Sequence, residues 1–189
     1  FTYSNLSHAN TKDSEYGKSD FSYATLTNLD LSNSLNTLEV CFHKANLTGV
    51  TFGEATFIET NFSGANLDEC QAISTTFQKC NFSTCHGKQT QLQGSNFIDS
   101  NFSFCTFIKS DLTNCRFLDK SSLNESKFID CILADSTLRD ITLEHCEFIN
   151  TTLNGCDFSE SNAKHSSFNG CHALSGLFIK TDFSHGNLS

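Results

Sequence analysis

Large apolar side chains return every fifth residue along this chain, and the positions between them are mostly polar. From residue 42 the series runs Phe42, Leu47, Phe52, Phe57, Phe62, Leu67, Ala72, Phe77, Phe82, Gly87, Leu92, Phe97, Phe102, Phe107, Leu112 and Phe117. One residue slips in near Lys120. The series then resumes at Leu123, Phe128, Leu133, Leu138, Leu143, Phe148, Leu153, Phe158, Ala163, Phe168, Ala173, Phe178, Phe183 and Leu188. Offset once around residues 34–40, it also covers Phe1, Leu6, Thr11, Tyr16, Phe21, Leu26 and Leu31. Of the 19 Phe, only Phe104 falls off it.

Neither regular element buries such a pattern. In an α-helix each residue turns by about 100°, so every fifth side chain sprays around the axis. In a straight strand an odd spacing throws successive side chains to opposite faces. A chain that bends through roughly a quarter turn every five residues points each mark at one central axis. Two residues before the marks stand small groups, among them Ala45, Ala55, Thr60, Ala65, Cys70, Thr75, Cys80, Cys85, Ser95, Ser100, Cys105, Ser110 and Cys115. These are expected to be a second inward position, while the Ser, Thr, Asn, Asp, Lys and Glu between them form a solvated wall.

Blocks such as Ala45-Asn46-Leu47, Ala65-Asn66-Leu67, Ser95-Asn96-Phe97 and Ser110-Asp111-Leu112 resemble the A(D/N)LXX signature of pentapeptide-repeat proteins. The resemblance extends over about 38 consecutive pentads. It implies an all-β fold, a right-handed quadrilateral β-helix with four pentads per coil. At that count residues 1–189 form a single solenoid domain of roughly nine coils, a rod about 40–45 Å long at the strand spacing of ~4.8 Å.

Composition narrows the picture. The 189 residues contain no Pro, which would remove donors from a ladder stacked above and below, and no Met. No apolar run approaches the ~20 residues of a membrane span. Phe1 already lies on the series and Leu188 is still on it, so the chain is expected to be a segment of a longer protein. Ten Cys are present, and nine occupy the small inward slot (Cys70, Cys80, Cys85, Cys105, Cys115, Cys131, Cys146, Cys156 and Cys171). Without a C-x-x-C pair, buried free thiols in a reducing compartment are expected, not disulfides or zinc. The N-x-S/T sequons at Asn46, Asn61, Asn81, Asn101, Asn124 and Asn150 are by-products of the repeat alphabet.

No catalytic constellation emerges. The seven His (His8, His43, His86, His145, His165, His172 and His185) all fall at outward positions. Cys85-His86 is the nearest approach to a nucleophile–base pair, but one side chain points in and the other out. Phosphate-binding Gly loops and nucleophile elbows are lacking. The segment is therefore read as non-enzymatic, with no cofactor, metal or small-molecule substrate. At Gly87, Ala72, Ala163 and Ala173 a small residue stands at a core mark. The preferred reading is that Ile73 or Leu174 turns in to fill the gap; the other is a dent used for recognition.

Residues one coil apart share a face. Beside the marks from Phe57 to Phe178 run Ile58, Gln78, Ile98, Leu118, Arg139, Ser159 and Ile179, then Glu59, Lys79, Asp99, Asp119, Asp140, Glu160 and Lys180. Ile58, Ile98, Leu118, Asp99, Asp119, Asp140 and Glu160 form the first candidate partner-binding face. Ile108, Ile129 and Ile149 form a second stripe on the opposite side. The net charge is −9. Nine acids against three bases between Asp119 and Glu160 disfavour nucleic acid. Glu125, Asp130, Asp135 and Asp140 form an acidic belt around one coil.

Two functions follow. The first is a protein-interaction and spacer module, bound to a host protein or to a flanking domain of the same chain. Similar pentapeptide helices occur in bacterial effectors delivered into host cells, among them HECT-like E3 ubiquitin ligases whose catalytic Cys would lie outside this segment. The second is a DNA-mimicking protein that protects type II topoisomerase in the bacterial cytoplasm, as some family members do.

Overall fold

The computed structural model describes residues 1–189 apart from Asn10, Lys12, Asp13, Asn33, Leu35 and Asn36. Each pentad turns a corner in the same way. Two residues after every mark with a described corner, φ is positive: Lys44 (53°), Glu59 (53°), Asp99 (51°), Glu125 (59°) and His165 (59°) are examples. Gly fills this position only at Gly49, Gly64, Gly94, Gly155 and Gly170. For a residue with a Cβ the left-handed conformation costs roughly 1–2 kcal/mol, so stacking must outweigh the strain. The next residue closes the bend by donating its N–H to the carbonyl of the mark, as Ala45 does to Phe42 and Ala65 to Phe62 (both 3.0 Å). Phe104 sits at such a corner (φ 64°) and points outward, 53% exposed. That is why the one Phe off the series is not in the core.

Successive coils stack in parallel register. One ladder passes through Asn5, Thr25, Asn46, Asn66, His86, Thr106, Lys127, Glu147, Ser167 and Asn187. Each step spans twenty residues, except Thr25–Asn46 and Thr106–Lys127, which span twenty-one. The second extra residue is Lys120, where Asp119 and Lys120 are both left-handed (48° and 62°) and widen one corner. The first is bounded by its flanks: Asp30 pairs with Thr51, twenty-one apart, but Leu38 pairs with Ile58 at the ordinary twenty. The offset therefore falls between Leu31 and Thr37; Leu35 and Asn36, within the range read from the sequence, lie outside the described residues.

Extended strands occupy two opposite walls over about six turns. The first wall carries β1 (Thr56–Ile58), β2 (Thr76–Gln78), β4 (Asn96–Ile98) and β6 (Arg116–Leu118), in the order β1-β2-β4-β6. The other carries β3 (His86–Lys88), β5 (Thr106–Ile108), β7 (Lys127–Ile129), β8 (Glu147–Ile149) and β9 (Ser167–Asn169), in that order. Single bridges continue the stacking elsewhere. The residue before the mark helps to separate the two. Where it is Asn or Asp, its Oδ1 accepts the N–H two residues on, as Asn61 does from Ser63 (3.0 Å), Asn81 from Ser83 (3.0 Å) and Asp111 from Thr113 (2.9 Å). This Asx turn competes with an extended ladder. Eight of the nine strands begin instead with Thr, His, Arg, Lys, Glu or Ser; Asn96 is the exception.

Inside the tube the marks stack as rings. Phe57, Phe77, Phe97 and Phe117 lie face to face with centroids 5.5, 5.3 and 4.9 Å apart. The neighbouring column Phe62, Phe82, Phe102 stacks at 4.6 and 4.5 Å and meets the first edge-on, as at Phe77–Phe82 (5.1 Å, 84°). The expectation that Ile73 or Leu174 fills the gaps at small marks does not hold, since both are exposed (41% and 74%). At Ala72 and Gly87 the rings themselves fill them. One coil carries Ala72, Phe77, Phe82 and Gly87, two rings against two minimal side chains, within a fixed cross-section. A Cβ on Gly87 would clash with Thr90 Oγ1 and lie 3.1 Å from the Phe107 ring.

The small inward slots are polar as well as small. Cys70 Sγ donates to Leu47 O, Cys85 Sγ to Phe62 O and Cys146 Sγ to Leu123 O, each at 2.8 Å. Ser100 Oγ accepts from Cys80 N (3.1 Å) and donates to Phe77 O (3.2 Å). Ser121 Oγ repeats this between Ser100 N and Phe97 O, both at 3.1 Å. The slot thus ties three levels of backbone together. Among the described residues, Gln93 Oε1 is the one buried side-chain polar atom without a partner.

Candidate functional site

The first candidate face is built by β1, β2, β4 and β6 and by the corner that follows them. Parallel register brings Ile98 beside Leu118, and Ile58 and Ile98 on either side of Gln78. All three apolar side chains are half-buried, so the stripe is a flush surface, not a protruding ridge. Asp99, Asp119, Asp140 and Glu160 occupy consecutive left-handed corners with φ of 51°, 48°, 55° and 64°. All four are exposed. Glu160 pairs with Arg139 (2.8 Å), and at the preceding end Lys79 pairs with Glu59 (3.3 Å). Such exposed pairs contribute at most about 1 kcal/mol each. Asp99, Asp119 and Asp140 have no ion-pair partner among the described residues. A shallow groove of about 950 Å³ runs past Ile98, Leu118, Arg116, Lys120 and Arg139.

The second stripe is also in register. Ile108 pairs with Ile129 and Ile129 with Ile149, again half-buried. The belt Glu125, Asp130, Asp135 and Asp140 takes four successive corners of one coil, all with positive φ and all exposed.

Cys85 and His86 form no dyad. Cys85 is 1% exposed with its thiol turned to the Phe62 carbonyl, whereas His86 stands in solvent. Burial pushes the thiols of Cys80, Cys115, Cys146 and Cys156 up to about 12. For Cys131 the same cause gives about 11. Such groups stay protonated and donate; they are not nucleophiles at neutral pH.

The sequence reading missed one feature. At the corner following Phe102, Leu123, Leu143, Ala163 and Phe183 stand Phe104, Glu125, His145, His165 and His185. The His145 and His165 rings stack at 4.7 Å and 4°, and His165 and His185 at 4.9 Å and 12°. Their spacing of twenty was visible in the sequence, but nothing there marked the residue two after the mark as the corner.

A tube of square coils stacked in parallel register, with one large side chain per pentad facing its axis, is a β-solenoid built from five-residue repeats. The chain belongs to the pentapeptide repeat family: the repeats match in eight copies over residues 40–85, 88–117, 121–159 and 136–172. Among solved structures it is similar to HetL from the cyanobacterium Nostoc sp. strain PCC 7120, a pentapeptide repeat protein involved in heterocyst differentiation regulation. The two are 17% identical with a TM-score of 0.45, over 97% of this chain and 88% of that one. A trypsin-treated form of QnrB1, a plasmid-mediated fluoroquinolone resistance protein, is 14% identical with a TM-score of 0.34, over 98% and 88%. A pentapeptide repeat protein from the Arabidopsis thaliana thylakoid lumen is 17% identical with a TM-score of 0.20, over 52% and 58%. No curated protein sequence matches the chain. No helix among the described residues is long and apolar enough to cross a membrane.

Proposed function

We propose that this chain is a non-catalytic protein-binding rod, carried by a bacterial effector that is delivered into the host cytoplasm. In that setting it is the partner-binding β-helix beside a HECT-like ubiquitin ligase lobe. One observation carries the binding role: the half-buried Ile98–Leu118 stripe lies beside Asp99, Asp119 and Asp140, whose exposed carboxylates have no ion-pair partner among the described residues. Stacking consumes the backbone donors of these walls, so recognition rests on side chains. Held by the corners at about the strand spacing of ~4.8 Å, the carboxylates present fixed charge at little entropic cost. A partner with a basic strip flanked by apolar groups matches that pattern. The ligase setting rests on architecture alone.

The test is the triple substitution Asp99→Lys, Asp119→Lys and Asp140→Lys. Proteins retained by the wild-type rod from host lysate should be lost, with the circular dichroism and melting midpoint unchanged. Retention of the same partners by the variant removes this face. A repeating negative charge also favours the second reading, mimicry of DNA toward a type II topoisomerase, although Lys79, Lys120, Arg139 and Lys180 interrupt it. Protection of gyrase by submicromolar rod would replace the first reading with the second.

A further inference from the structure

The corner that bears His145, His165 and His185 differs from the other three in its side chains, not in its backbone. Its residues share one backbone conformation, with φ of 57°, 59° and 60°, so their side chains leave the rod in the same direction. All three are exposed. The rings are held one strand apart, at 4.7 and 4.9 Å. Two imidazole nitrogens on one tetrahedral ion at 2.0–2.1 Å stand about 3.3 Å apart. Small rotations of two adjacent exposed rings bring their nitrogens to that distance without moving the backbone.

We propose that this corner is a two-imidazole clamp for one divalent transition-metal ion of the nickel, zinc and copper class. Imidazole is a ligand that suits these ions. Chelation tilts two adjacent rings out of parallel, so that a nitrogen of each faces the shared ion. No three ligating groups among the described residues are gathered about one point, so the clamp uses two rings and water completes the shell. The surroundings favour a cation. Glu125 precedes the three His on the corner, Glu144 and Lys164 lie on one adjoining wall, and Lys127 and Glu147 on the other. Lys127 and Glu147 neutralise each other at 2.8 Å, as Lys164 and Asp182 do at 3.4 Å. That leaves Glu125 and Glu144 as excess negative charge. Glu144 also accepts from Asn162 Nδ2 at 2.7 Å. The buried thiols do not compete, because burial keeps them protonated and they already donate to backbone carbonyls.

The geometry makes His165 the shared member of two overlapping clamps, His145–His165 and His165–His185. Removing it leaves two rings separated by about two strand spacings, roughly 9–10 Å, too far to hold one ion. Titration of the 189-residue chain with Ni²⁺, followed by calorimetry, should show one ion bound at this corner. His165→Asn, chosen because Asn tolerates the left-handed backbone, should weaken binding roughly tenfold or more, since the second ligation step is no longer intramolecular. His145→Asn or His185→Asn alone should cost only about twofold, one of two equivalent clamps being lost. Ni²⁺ should raise the melting midpoint of the wild type and not of His165→Asn. Equal loss from His165→Asn and His145→Asn, or wild-type affinity in His165→Asn with its fold confirmed by circular dichroism, overturns the clamp. Loss instead on His86→Asn places the ion elsewhere and overturns it equally.

Discussion

At the scale of single residues, what decides stability is volume inside a tube of fixed bore. Gly87 is the sharpest case. It looks like a gap in the series, yet a Cβ there meets Thr90 Oγ1 and the Phe107 ring. Gly87→Ala is therefore expected to destabilise by about 1–3 kcal/mol through overpacking. The urea midpoint reads this, and an unchanged or higher midpoint would mean that the coil has slack. The inward direction of Phe102 or Leu133 was legible from spacing alone. The role of Gly87 was not, because it depends on rings twenty residues along the chain. The cysteines were legible as buried but not as donors: spacing shows where a side chain points, not which carbonyl it meets.

At the scale of the pentad, two side-chain devices support the stacking. Outside, an Asx residue before the mark satisfies a backbone N–H that would otherwise seek a strand partner. The Asn46, Asn61, Asn81 and Asn101 side chains are engaged in this way, which accounts for their recurrence and for the sequons they create. Inside, a Ser, Thr or Cys links levels. Ser100→Ala would strand the Cys80 N–H, so a loss of about 1–3 kcal/mol is expected, read by thermal melting against Ser100→Thr, which keeps a hydroxyl able both to accept and to donate. Equal stability of Ser100→Ala and the wild type would refute the inner link. The left-handed corner belongs to this scale too. Lys, Glu and His at positive φ carry no signal of their own, and only a chain closing on itself in four corners requires it.

For the whole molecule, the repeated thiols turn a local effect into a global one. In the unfolded chain they release protons near 9, the reference value, whereas burial holds Cys80, Cys115, Cys146 and Cys156 at about 12 in the rod. A raised folded value leaves stability intact below about 9 and removes it as pH climbs toward 12, because the unfolded state then binds fewer protons. The slope is at most about 1.4 kcal/mol per pH unit for each such thiol. The melting midpoint should fall steeply from about pH 9 to about pH 12, and the quadruple Cys→Ser variant should flatten that fall. A wild type indifferent to alkali would contradict the buried, protonated assignment. Acidification should leave this contribution untouched.

The five-residue interval alone determined the inward rings, the small second slot and a bend of about a quarter turn per pentad; the four-pentad coil, with its faces shared by residues twenty apart, came from the likeness of those pentads to the repeat family. The former follow from directions of side chains along one chain, and periodicity encodes direction. The tertiary structure alone decided which neighbours meet across coils. It put Gly87 beside Phe107, made the thiols donors, left the Ile98–Leu118 stripe half-buried, and stacked three imidazoles on one corner. Those outcomes depend on distances between residues far apart in sequence, which the repeat leaves open until its coils are laid one on another.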